Sequence, residues 1–421
     1  MFAPLAARVL PERRRLEGLM RLAAIRLCAI ASLVACSTGN DKASAHDASS
    51  SGSSDATGSS GSDGGSLLAI PLTGCPLDSY FAPVTIAGQS FTLILDTGSS
   101  DTAVALSSCT TCDVSPKLSA PAGSCSTQLG TQQSLGWEGG VCSETVSAGG
   151  EIPEVTMDVV GISDNVEFFT NIDCTGQALA GQPQYQGILG MGPLAFDTIG
   201  QASADAYLSE LVARGVADAF GLLLCSVGGR VWFGGYDPHF ATGAPQYTPL
   251  SMPLGWQISV SSLGLGSTNL GAGDPKSIVD TGTQFYSMPT AAFKAFMAQS
   301  DPGFTKIFGA SDLGSTFGEK TCVAPAGAPT PAELDATLPP MTMTLPSVGG
   351  GSFTLSLPAT ASYLVPATPP DAGTLEYCLA IQDAANNHGY SILGGPLLRA
   401  NITLFDLAHA QLGFVPQSFC H

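Results

Sequence analysis

Residues 91–100 read FTLILDTGSS, and residues 276–284 read KSIVDTGTQ. Each stretch is an apolar strand that runs into Asp-Thr-Gly and then Ser or Thr. Each has a later apolar-apolar-Gly segment: Gln186-Gly-Ile-Leu-Gly190 follows the first, and Tyr390-Ser-Ile-Leu-Gly394 follows the second. One such turn is a weak signal, because short Gly-containing turns are common. Two turns, each with its own partner segment, mark an internal duplication and set Asp96 and Asp280 at equivalent strand ends. Gly98 and Gly282 allow the tight bend that brings backbone N–H groups close to the two carboxylates. An Asp in an isolated turn is as readily a turn or cap residue. The doubled context makes this pair the candidate reactive centre, because two adjacent carboxylates that share one proton can activate water and polarise a carbonyl together.

Working outward, the 421-residue chain is 44% hydrophobic, which suffices for a buried core divided between two halves. Charged residues make up only 12%, while Gly and Pro number 50 and 29, so the chain reads as mostly β with many short strands and turns. Helices are minor: Ala202–Val216 has apolar residues at helical spacing, and Thr290 is the expected cap of a helix over Ala291–Ala298. A formal net charge of -19 excludes the basic footprint that a nucleic-acid partner requires. There is no G-x-S-x-G elbow and no H-E-x-x-H, and the five His are scattered, which excludes the common serine hydrolase and zincin patterns. No metal or cofactor is expected.

Residues 20–36 read MRLAAIRLCAIASLVAC. Arg21 and Arg26 precede an apolar run, Leu27–Ala35, that is too short to span a bilayer and reads as the core of an export signal. Leu33-Val-Ala-Cys36 resembles a bacterial lipobox, in which the Cys is lipidated and becomes the new N-terminus; cleavage near Ala35 by an ordinary signal peptidase is the alternative. Residues 37–66 are rich in Ser, Gly and Asp and have nothing to bury, so they read as a disordered tether with no folded activation segment. The expected organisation is residues 1–36 as signal with lipobox, 37–66 as tether, 67–245 as N-terminal lobe and 246–421 as C-terminal lobe. The protein is then exported and held by a lipid at a bacterial envelope membrane, the outer membrane or the cell surface.

Of 12 Cys, Cys28 falls in the signal and Cys36 at the lipid site, which leaves an even number for an exported disulfide-bonded domain. Cys109-Thr-Thr-Cys112 has no second CxxC or His pair to complete a zinc site, so it reads as disulfide material.

The two DTG turns with their partner segments resemble the pepsin family of aspartic proteases, and the resemblance runs from about Leu67 to the C-terminus. It extends to Val231–Asp237 (VWFGGYD), Trp256–Ser259 (WQIS) and Ser391–Pro416. It implies two β-rich lobes with a substrate cleft between them and an aspartic endopeptidase acting on protein or peptide substrates as a monomer. It also implies that Thr97 and Thr281 brace the two turns against each other and that Ser99 and Thr283 hydrogen-bond the outer carboxylate oxygens. A disulfide between Cys322 and Cys378 follows from the same resemblance. An acidic pH optimum is expected, because Thr283 keeps a hydroxyl that some near-neutral family members replace with Ala.

Two features depart from the family pattern. Ala103 stands where the family has Trp, and Gln132 falls where the family's flap has Tyr. The two family side chains share a hydrogen bond, so their joint loss leaves neither with an unmet partner. Trp137, in the candidate flap Gln132–Val146, either caps the cleft instead or packs within the hairpin. Cys142 in the return strand of that hairpin predicts a disulfide-tethered flap. The altered flap keeps a rival reading open, a non-catalytic pepsin-like binding protein at the cell surface. Asn401-Ile402-Thr403 matches a glycosylation sequon.

Overall fold

A computed structural model describes residues 67–120, 123–132, 137–165, 168–169, 183–193, 206–252, 255–309, 322–367, 375–387 and 389–420. The expected signal, Cys36 and the tether lie outside the described residues. The fold is all-β and two-lobed, as expected, with a few short helices and a cleft between the lobes.

The duplication seen in the sequence is repeated in the strand pairing. Strand Gln89–Asp96 runs parallel to Gly187–Gly190 and sets Asp96 beside Gly190. Strand Ser277–Asp280 runs parallel to Ile392–Gly394 and sets Asp280 beside Gly394. Each glycine-ended strand also takes an antiparallel neighbour, Ala103–Ala105 in the first half and Tyr286–Met288 in the second. Leu93, Leu95, Leu189, Val279 and Leu393 are buried, which explains why these parallel strands read as unbroken apolar runs and not as an alternation. Gly190 is required by a close approach: a Cβ there would sit 2.5 Å from the carbonyl oxygen of Asp101, on the chain leaving the first turn.

Beneath both units lies an antiparallel sheet with strand order Leu68–Gly74, Gly229–Phe233, Ala219–Leu224, Asn401–Asp406, Gln411–Pro416, Gln246–Met252. Its first three strands come from the N-terminal half and its last three from the C-terminal half. They meet where Phe220 pairs with Phe405. These two rings stack at 4.5 Å between centroids, and the buried Trp256 meets both edge-on. The Trp256 indole N–H donates to the carbonyl of Met191 at 2.8 Å, so its polar end is satisfied. The C-terminal half adds a four-stranded sheet in which Met341–Pro346 alternates buried and half-buried positions and Ser352–Leu357 alternates exposed and buried ones.

The helices differ in part from expectation. Helix Tyr207–Ala213 occupies the middle of the expected 202–216 segment, of which residues 202–205 lie outside the described residues. Thr290 is not a cap: it is the first residue of helix Thr290–Phe308, Pro289 holds the cap position without a side-chain bond, and the Thr290 hydroxyl donates to Asp383 at 2.6 Å. A tertiary carboxylate has taken the hydroxyl that local reasoning assigned to the backbone. The helix also runs well past Ala298, to Gly309 in the left-handed region at φ 66°. The sequon is no glycan acceptor, because Asn401 and Thr403 are buried in a central strand paired on both sides.

Four disulfides join described residues: Cys109–Cys112, Cys125–Cys142, Cys225–Cys420 and Cys322–Cys378. Cys75 is disulfide-bonded as well.

Candidate active site

The two DTG turns meet face to face at the top of the parallel strand pairs. Thr97 and Thr281 carry matching sets of bonds across the junction. The Thr97 hydroxyl donates to the carbonyl of Val279 at 2.9 Å and accepts the Thr281 N–H at 3.0 Å. The Thr281 hydroxyl donates to the carbonyl of Leu95 at 2.6 Å and accepts the Thr97 N–H at 3.1 Å. Both Thr are buried, so these bonds satisfy four backbone groups that would otherwise have no partner.

Each carboxylate is held in the same way within its own turn. Asp96 Oδ1 accepts the Gly98 N–H at 2.8 Å, and Oδ2 accepts the Ser99 hydroxyl at 2.6 Å. Asp280 Oδ1 accepts the Gly282 N–H at 2.7 Å, and Oδ2 accepts the Thr283 hydroxyl at 2.6 Å. The glycines also make room across the junction. A Cβ on Gly98 would lie 2.5 Å from Asp280 Cγ, and one on Gly282 would lie 2.7 Å from Asp96 Oδ1. No other residue at either position lets the carboxyl of the opposite turn come this close.

Asp96 is 6% exposed and Asp280 is half-buried. Burial, the negative charge of Asp280 and a hydrogen bond shared with it hold the Asp96 carboxyl protonated well above the usual carboxylate range. The Ser99 hydroxyl and the Gly98 N–H pull in the opposite direction without overcoming this. Two carboxyls this close titrate as a pair.

A family model described as eukaryotic aspartyl protease matches residues 79–417. The chain belongs to that family. As an aspartic endopeptidase, it is 26% identical over 339 residues to an aspartic protease of Phaffia rhodozyma, covering 79% of this chain and 75% of the relative. It is 28% identical over 354 residues to pepsin A of Rhinolophus ferrumequinum, covering 80% and 81%. It is 32% identical over 232 residues to pepsin A of Sus scrofa, covering 53% and 58%.

The structure of this aspartyl protease also places residues that the sequence alone did not single out. The Gly192 N–H donates to the Ser99 carbonyl at 2.7 Å, and the Gly395 N–H donates to the Thr283 carbonyl at 2.9 Å, so each turn is fastened from behind by its partner segment. The Gln284 side-chain amide donates to the carbonyl of Asp78 and ties the second turn to the N-terminal half. Beside Asp96, buried Ile94, Ile188, Phe81 and Tyr185 form an apolar wall with Phe168 and Phe169 packed against it. Strand periodicity held the signal for this wall, since Ile94 lies two residues before Asp96 and shares its face.

Ala103, where the family has Trp, is fully buried against Ala105, Val160, Ile162 and the Cys109–Cys112 pair. The candidate flap is a hairpin of Cys125–Gln132 and Trp137–Ser147, with Gln132 opposite Trp137 on its last described rung. Residues 133–136 lie outside the described residues.

Proposed function

We propose that Asp96 and Asp280 are the catalytic pair of this endopeptidase and hydrolyse peptide bonds through a water held between them. The observation that carries the reading is the seating of each carboxyl against the glycine of the opposite turn, which gives two carboxyls one shared site. The half-buried Asp280 takes a proton from the water as its oxygen attacks the peptide carbonyl carbon, and Asp96 gives its proton to the carbonyl oxygen. The tetrahedral diol then collapses. As the C–N bond breaks, one diol hydroxyl gives its proton to Asp96 and the leaving nitrogen takes the proton from Asp280, so one shared proton remains for the next cycle. Because one carboxyl must be protonated and the other ionised, the activity belongs to acid pH.

The hairpin Cys125–Ser147 serves as the flap over the cleft, and the wall around Ile94 and Tyr185 receives a bulky apolar side chain next to the scissile bond. Residues 67–245 and 246–421 are the two lobes of a monomer that acts on proteins or peptides. Cys36 carries a lipid that holds the exported chain, through residues 37–66, at a bacterial envelope membrane. Among the described residues no helix is long and apolar enough to cross a membrane.

The test is cleavage of a denatured protein at pH 3 to 5, with and without pepstatin, by wild type, Asp96→Asn and Asp280→Asn. Pepstatin-sensitive cleavage lost in both variants is expected. A folded wild type that cleaves nothing overturns the reading and favours a binding protein. For the anchor, detergent phase partitioning is expected to move from the detergent phase to the aqueous phase on Cys36→Ser.

A further inference from the structure

The two arms of the flap hairpin are supported unequally. The return arm, Trp137–Ser147, pairs with Val155–Asn165 along its length, from Trp137 opposite Asn165 to Val146 opposite Val155. Its root also pairs with Thr85 and Ile86. The strand pairing of the outgoing arm, Cys125–Gln132, is with the return arm alone among the described residues. Two of its rungs set a glycine in the pair, because Leu129 faces Gly140 and Gly130 faces Gly139, so neither has a directly opposed pair of side chains. The register also shifts between Cys125 and Leu129, and such irregularities loosen a ladder locally.

Against this background the Cys125–Cys142 disulfide stands out as the firm attachment of the outgoing arm. It bridges directly opposed residues at the root of the hairpin. Cys142 is fully buried, and its sulfur lies over Gly161, where a Cβ would come within 2.8 Å of it. The Ser124 hydroxyl donates to Glu144 at 3.0 Å, and the Ser143 N–H donates to the Ser124 carbonyl at 3.2 Å, so the chain is also bonded on the side of the bridge away from the hairpin tip. Beyond it, the return arm stays paired, with Gly139 opposite Ile162 and Gly140 opposite Gly161, while the outgoing arm has no second strand beside it among the described residues.

We propose that Cys125–Cys142 is a positioning crosslink for peptide cleavage. It fixes the register of the flap root and confines movement to the outgoing arm beyond it, so the flap is already ordered when substrate arrives. This rests on the reading of the hairpin as the flap. Without the crosslink, substrate must order the outgoing arm on binding, and that cost falls on KM because the carboxyls and their turns are untouched.

The experiment compares three full-length proteins: wild type, Cys125→Ala/Cys142→Ala, and Cys322→Ala/Cys378→Ala. The last removes a disulfide from the separate sheet of Cys322–Val323, Glu376–Leu379 and Leu364–Ala367. Amide hydrogen exchange and steady-state cleavage of a peptide are measured at a temperature where all three are folded. In the hairpin variant, amides of residues 125–132 are expected to exchange at least roughly tenfold faster, with KM raised roughly tenfold and kcat within about threefold. The control loses thermal stability but keeps wild-type KM and wild-type exchange in the hairpin. A hairpin variant with unchanged exchange, or with faster exchange and unchanged KM, overturns the proposal. If the Ala pair does not fold, Cys125→Val/Cys142→Val refills the buried volume and carries the same test. If wild type has no peptidase activity, the function reading fails on that arm, while exchange still decides whether the crosslink orders the hairpin.

Discussion

Replacing Thr281 with Val keeps the shape of a buried side chain and deletes one oxygen. That oxygen donates to the Leu95 carbonyl at 2.6 Å and accepts the Thr97 N–H at 3.1 Å. Both partners belong to the opposite turn, and no water can reach them without opening the junction. An orphaned buried polar group costs about 1–3 kcal/mol, so Thr281→Val should cost about 2–6 kcal/mol. At about 2 °C per kcal/mol for a chain of this size, the melting temperature falls by about 4–12 °C. Catalysis suffers separately, because each carboxyl is then aimed by its own turn with half the bracing between turns removed. A misplacement near 1 Å costs about 100-fold, so kcat/KM should drop roughly 10- to 100-fold. Thr97→Val should behave alike, since its hydroxyl makes the mirror pair of bonds to Val279 and Thr281. Thr281→Ser keeps the oxygen and should recover most of the rate. Scanning calorimetry and cleavage of a quenched peptide at the optimum pH provide both readouts. A Thr281→Val protein that melts within about 2 °C of wild type and retains half its kcat/KM would refute the bracing argument. So would a Ser variant as damaged as the Val variant.

Asp96 titrates well above an unfolded carboxyl, so the native state keeps a proton that the unfolded chain releases. Stability from this site is therefore full below about pH 3.9 and is lost as pH rises through the folded value, at about 1.4 kcal/mol per unit of elevation. Asp96→Asn removes that loss, so its melting temperature should decline less steeply from about pH 4 to 7 than that of wild type, and parallel curves would contradict the assignment. The Ser99 hydroxyl lowers the Asp96 value, so Ser99→Ala should move the alkaline limb of the kcat/KM profile to higher pH, and a downward shift would be the wrong sign. Cys225→Ala/Cys420→Ala opens a loop with a sequence separation of 195, which in the chain-entropy account is about 5 kcal/mol. Its melting temperature should fall by about 10 °C with KM unchanged, and altered KM would tie the C-terminal tail to the cleft.

What the sequence made legible follows from how local each constraint is. A DTG turn must satisfy its own carboxylate, so Gly98 and Ser99 sit two and three residues from Asp96, and Gly282 and Thr283 stand in the same relation to Asp280. Constraints this short leave a motif, and repeating it made the pair readable. Where the partner is remote, local pattern misleads. Thr290 has the chemistry of a cap, yet its hydroxyl goes to Asp383, 93 residues away. Asn401-Ile-Thr403 has the spelling of a surface sequon but lies in a sheet whose strands come from both halves. The candidate flap joins the two cases. Its Cys142 announced a tether, but the choice of Cys125 as partner depends on a register shift that no residue spelling encodes. The turns carry most of the reading because chemistry constrains them twice, once within each half and once across the junction. The candidate flap meets no such double constraint: its outgoing arm pairs with the return arm alone among the described residues, so Gln132 can stand where the family has Tyr, and Ala103, in a separate strand, where the family has Trp, without disturbing the two turns.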